Sequence, residues 1–129
     1  MTPLARDANS VALVVPAGWK AGAFACRIVG EQESSGITVF HAPAAWWVQG
    51  DAGLEATAGG WLRVLGKCLD FNGRSRIALR VTGSEARVLE ASERSMFSLK
   101  AELPTDLAAG AHAVWVHNGH GGPAGWHLA

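Results

Sequence analysis

The chain has 129 residues, 49% of them hydrophobic, and its 11 basic and 11 acidic side chains leave no formal net charge. That size supports one sizeable core and leaves no room for a second full domain. Zero net charge argues against nucleic acid, an anionic membrane or an acidic polymer as a partner, and no apolar run approaches the roughly 20 residues of a membrane span. The opening stretch, MTPLARDANS, has no apolar h-region, so the chain as given carries no secretory signal.

Taken in order, nearly every stretch reads as strand or turn. Residues 11–15 (VALVV) form a short apolar run that Pro16 ends. Phe24, Cys26 and Ile28 share one face of the next strand, with Arg27 on the other. A polar turn at 31–36 leads into a strand at 37–40. Pro43 breaks the following run, Trp46 to Val48 extend it, and Gly50 to Gly53 turn it. Leu62 and Val64 alternate with Trp61, Arg63 and Leu65, and Gly66 is expected to end that strand. After turn residues Asp70, Asn72 and Gly73, the pattern puts Ile77, Leu79 and Val81 inward. Residues 84–94 have the composition of a helix, but Gly83 and the strand-like flanks favour a hairpin. Phe97, Leu99, Ala101 and Leu103 form the inward side of the next strand. Val114 and Val116 oppose Ala113, Trp115 and His117 on the last one. Short alternating strands cut by Gly, Pro, Asn and Asp predict an all-β sandwich.

The chain also repeats itself. Residues 14–29 (VVPAGWKAGAFACRIV) align without a gap on 102–117 (ELPTDLAAGAHAVWVH), each position shifted by 88. Pro16 falls on Pro104, Trp19 on Leu107, Gly22 on Gly110, Cys26 on Val114 and Ile28 on Val116. Each copy is a proline, a short apolar turn, a glycine and an alternating strand. A repeat at domain spacing predicts tandem sandwiches, the first represented by its closing strands.

Residues 58–69 (AGGWLRVLGKCL) resemble the opening of an IPT/TIG domain, the immunoglobulin-like fold of transcription factors and bacterial surface proteins. Cys68 and Leu69 stand where that family usually has Asn and Phe. Leu103-Pro104 through Gly110, then Val114 to Gly119, are similar to the family's ending, so the likeness spans roughly 44–119. It implies an immunoglobulin-like β-sandwich of IPT/TIG type over 43–119. Extra N-terminal strands of a preceding, incomplete unit would occupy 1–42, and a Gly-rich tail 120–129. Residues 43–51 and 115–126 resemble the N-terminal region of bacterial pectate-lyase-superfamily and glycoside-hydrolase-like proteins. There such sandwiches precede a right-handed β-helix that acts on polysaccharide. The resemblance implies an extracellular or periplasmic accessory region of a longer protein, with no catalytic residue to carry over.

Six tryptophans and no tyrosine are the main chemical signal. Indole faces stack on sugar rings, although large aromatics equally serve core packing. Trp46 and Trp47 are adjacent, so in a regular strand they take opposite faces and at most one is core. Trp47, Trp61 and Trp126 are the candidate stacking platforms, with Gln49, Asp51 and Asn118 as partners for sugar hydroxyls. His117, His120 and His127 could supply zinc or copper ligands. Their glycine-rich segment offers no helix to fix them, so a solvated turn is expected there, with no metal and no cofactor. The GHGGPAG loop opens no helix and lacks the Lys-Ser/Thr ending of a phosphate loop. No carboxylate pair faces across a predicted cleft, and no serine sits in a nucleophile elbow. Cys26 and Cys68 are expected to be free thiols. The expectation is a non-catalytic spacer or carbohydrate-binding accessory region, its partner a polysaccharide or the parent enzyme's catalytic domain. The alternative is a purely structural docking module, which would expose a contiguous apolar patch.

Overall fold

Alternating apolar residues form strands here whose inward faces meet in one buried cluster. The computed structural model describes residues 3–129; Met1 and Thr2, part of the stretch read above for a secretory signal, lie outside the described residues. The strands in chain order are β1 (Ala5–Arg6), β2 (Val11–Ala12), β3 (Phe24–Cys26), β4 (Thr38–Phe40), β5 (Ala44–Gly50) and β6 (Trp61–Lys67). There follow β7 (Arg76–Arg80), β8 (Arg87–Glu90), β9 (Glu93–Arg94), β10 (Ser98–Glu102) and β11 (Ala113–His117). A 3-10 turn at Gly122–Gly125 then leads into β12 (Trp126–Leu128).

Two four-stranded sheets carry the fold, in the orders β5-β6-β10-β9 and β12-β11-β7-β8, with every pairing antiparallel. Both contribute to one buried cluster: Leu62 and Val64 from β6, Leu99 and Ala101 from β10, Ile77 and Leu79 from β7, and Val116 from β11. These are the positions that period-two alternation points inward, and burying each large aliphatic side chain stabilises the fold by about 1.5–3 kcal/mol. Residues 84–94 form no helix: β7 and β8 make a hairpin with Gly83 at φ 83° in its turn. The chain then crosses to the other sheet for β9.

Three details depart from the alternation. Phe97, expected inward, is 61% exposed, because β10 starts at Ser98 and the Ser95 hydroxyl holds the Phe97 N–H in the preceding turn. Gly66 does not end its strand; β6 runs on to Lys67. Its partner β5 bulges between Ala45 and Trp47, pressing the Ala44 carbonyl so close that any Cβ at position 66 would collide with it. The last predicted strand is also not the last: β12 pairs with β11, so residues expected as a Gly-rich tail supply an edge strand.

The N-terminal strands form two separate hairpins, β1-β2 and β3-β4. The repeated turn is real. The Trp19 N–H donates to the Pro16 carbonyl at 3.0 Å, and at the same offset the Leu107 N–H donates to the Pro104 carbonyl at 3.2 Å. The strands that follow differ in environment: Val116 is fully buried, whereas its counterpart Ile28 is 58% exposed. An aromatic chain ties this segment to the four-stranded sheets, running Trp19–Phe24–His41–Phe71–His120 with successive ring centroids 5.1, 6.1, 5.8 and 5.9 Å apart.

Candidate functional site

Strand register places four of the six predicted ligand residues together. Leu62, Val64 and Gly66 turn toward the core, so Trp61, Arg63 and Leu65 lie on the outer face of the first sheet. Trp47 pairs with Leu65, and Gln49 with Arg63, which puts both on that same outer face. Asp51 follows at the end of β5, its N–H donating to the Trp61 carbonyl at 3.2 Å. Along β6, Trp47's partner Leu65 and Trp61 are separated by about 13 Å at ~3.3 Å per residue.

The row between the two indoles is ionic. Arg63 pairs with Glu93 at 2.8 Å, and Lys100 reaches Glu93 at 3.3 Å and Glu102 at 3.4 Å. The Glu93 hydrogen bond is the main cause that holds the Lys100 ammonium above its ordinary range; burial opposes it, and Glu102 adds a lesser push upward. Arg63 and Lys100 also lie 5.8 and 5.4 Å from the centroid of the Trp61 ring, so cations attend this indole. Trp47, 53% exposed, has no such cover among the described residues, and neither has Trp46, 69% exposed. Neither of this adjacent pair is core. The bulge absorbs Trp46, where a regular strand would have turned one of the two inward.

Asp51 has a structural duty of its own. Its carboxylate accepts the N–H and the hydroxyl of Thr57, closing the 51–57 loop, and the Thr57 hydroxyl is the main cause that depresses its titration. Asn118 is further from the predicted role. It is fully buried, its amide donating to the carbonyls of His41 and Cys68 at 3.1 Å each while its oxygen accepts the His120 N–H at 3.2 Å. With both amide hydrogens engaged and the side chain fully buried, no sugar hydroxyl can reach it. His41 and Cys68 both sit in the left-handed region, at φ 60° and 55°, so the buried amide clamps two strained residues.

Trp126 belongs to the second sheet. It pairs with His117, which pairs with Arg76, and Arg76 with Glu90; the adjacent row is Leu128, Trp115, Ala78 and Val88. His117 is buried, not part of a solvated turn: its Nδ1 accepts the Gly119 N–H at 2.9 Å, leaving Nε2–H to donate to the Gly122 carbonyl at 2.7 Å. Its ring meets Trp126 edge-on at 5.1 Å. Gly125 is required beside it, since a Cβ there would strike both the His120 carbonyl and the His117 ring. Among the described residues, no three His, Cys, Asp or Glu side chains group as metal ligands would, and both cysteines are free thiols.

Sequence reasoning passed over Trp115, Arg76 and Arg80 as ligand residues. Arg76 lies 5.8 Å from the Trp126 ring centroid and Arg80 5.0 Å from that of Trp115. The outward phase of all three was readable from the alternation, but their neighbourhood was not, because it depends on the pairing of β7 with β11 and β12. No protein-family model, no curated protein and no solved structure matches this chain.

Proposed function

We propose that this chain is a non-catalytic accessory region of a bacterial extracellular or periplasmic polysaccharide-active protein, binding glycan on the outer face of the β5-β6-β10-β9 sheet. Its two four-stranded sheets are read as an immunoglobulin-like sandwich of IPT/TIG type. The shared buried cluster and the separation of β8 and β9 into different sheets support that assignment. The observation that carries the functional reading is the placement of Trp47, Gln49 and Trp61 on one sheet face, with Trp47 half-exposed and, among the described residues, free of any cation over its ring. A sheet face with an exposed indole, an amide beside it and a second indole further along suits an extended sugar chain. Asp51 frames the site, while Trp126 and Asn118 lie outside it.

Titrating the chain with neutral and acidic polysaccharides, followed by indole fluorescence, tests the reading. Trp47→Ala should weaken binding by about 1.4 kcal/mol or more, roughly tenfold in Kd. Unchanged affinity in that variant, or no response to any glycan from the folded wild-type chain, would sink it.

A second reading has its own support. In residues 3–40 the side chains of Leu13, Val14, Val15, Ile28, Val29 and Ile37 are all well exposed. Apolar surface on that scale suits a protein–protein docking module, whose partner is the parent enzyme's catalytic domain or a preceding sandwich unit. Measuring sedimentation of the chain with and without that neighbouring polypeptide distinguishes this role from glycan binding.

A further inference from the structure

The outer face of the β12-β11-β7-β8 sheet concentrates unpaired positive charge on a chain whose net charge is zero. Arg76 and Arg80 sit four residues apart on one face of β7, about 13 Å along the strand. Arg74 joins Arg76 and Trp126 in lining a cleft of about 710 Å³. Among the described residues none of these three guanidinium groups has a carboxylate partner or a side-chain hydrogen bond. The one acid at the cleft, Glu90, is engaged by Arg94 at 3.0 Å. On the opposite sheet, by contrast, Arg63 and Lys100 are neutralised by Glu93 and Glu102. The asymmetry between the two faces is the feature to explain.

Chemistry narrows the partner. A guanidinium lying against an indole gives up its flat face but keeps the N–H donors around its edge. Arg76 against Trp126 and Arg80 against Trp115 are held in that way, so less side-chain freedom is lost when an anion arrives. Planar carboxylates match the fork of such a group two bonds at a time. The indoles and the exposed Leu128 and Val88 beside them offer apolar contact between the charges. A polymer with a carboxylate on successive sugars can engage both forks at once, and the linkage multiplies the affinity of either alone.

We infer that this second face is a binding site for an acidic, carboxylate-bearing polysaccharide, separate from the Trp47 face and using Arg74, Arg76 and Arg80 with Trp115 and Trp126. It stands or falls independently of glycan binding by the first sheet.

The test uses the whole chain and three probes: alginate, alginate esterified with propylene glycol, and single-stranded DNA, each followed by calorimetry. Esterification removes the charge and keeps the sugar backbone. Alginate should bind roughly tenfold or more tighter than its ester, and the difference should shrink as salt rises toward 1 M, where the screening length falls to about 3 Å. The double variant Arg76→Ala, Arg80→Ala should lose that preference, while Lys20→Ala, which removes an exposed cation in the N-terminal segment, should keep it. Equal binding of the acid and ester forms overturns the proposal without reference to any variant, so a misfolded mutant cannot obscure the result. Tighter binding to DNA than to alginate would also overturn it, reassigning the face to nucleic acid.

Discussion

Two side chains expected to touch ligand serve the fold at the scale of the residue. Asn118 is fully buried and its amide holds the carbonyls of His41 and Cys68, both from residues in the left-handed region. Asn118→Ala strands those two acceptors, and a buried unsatisfied group costs about 1–3 kcal/mol. Urea denaturation should show that loss; a midpoint equal to the wild type would mean water replaces the amide without penalty. Asp51 makes a pH prediction. Bonds from Thr57 lower its folded titration below the unfolded value of about 3.9. Its contribution is therefore fully present above the unfolded value and is lost as pH falls through the folded one. Asp51→Asn should flatten the acid side of a stability-versus-pH curve relative to wild type, leaving the curve between pH 6 and 8 parallel.

At the scale of the element, the bulge in β5 decides most of the first sheet's outer surface. It lets Trp46 and Trp47 both stay exposed and it demands a glycine at position 66. Gly66→Val would drive a branched side chain into the Ala44 carbonyl, and overpacking of this kind costs about 1–3 kcal/mol. Thermal melts should register it as a lowered Tm, together with altered glycan binding if the Trp47 platform shifts. A variant as stable as wild type would show that β5 can move aside. The same reasoning explains why Gly66 looked like a strand end. Glycine weakens a strand locally, and only the partner strand's geometry makes it necessary.

Across the whole molecule, stability is unevenly spread. The buried cluster is drawn from residues between Leu62 and Val116, whereas Val11, Leu13, Ile28 and Val39 in the N-terminal hairpins stay largely exposed. Amide protons of β6, β7, β10 and β11 should therefore exchange at close to the global unfolding rate, and those of β1 to β4 much faster by local opening. Hydrogen exchange read by mass spectrometry checks this. Equal protection in β3 and β11 would show that the repeat's first copy is packed as firmly as its second.

The amino-acid order by itself determined the strand phases. Leu62 with Val64, Ile77 with Leu79, and Leu99 with Ala101 read inward because successive side chains alternate. It also carried the repeated turn after Pro16 and Pro104, whose hydrogen bond is local. Tertiary structure alone decided which phases meet. Register between strands distant in sequence set Trp47 and Gln49 beside Leu65 and Arg63, gathered Trp115 and Trp126 with Arg76 and Arg80, and withdrew Asn118 into the interior. The physical reason is that alternation fixes a face of one strand, while a site needs the faces of several. Their alignment follows from long-range pairing, a bulge and a turn, none of which a single strand's pattern contains.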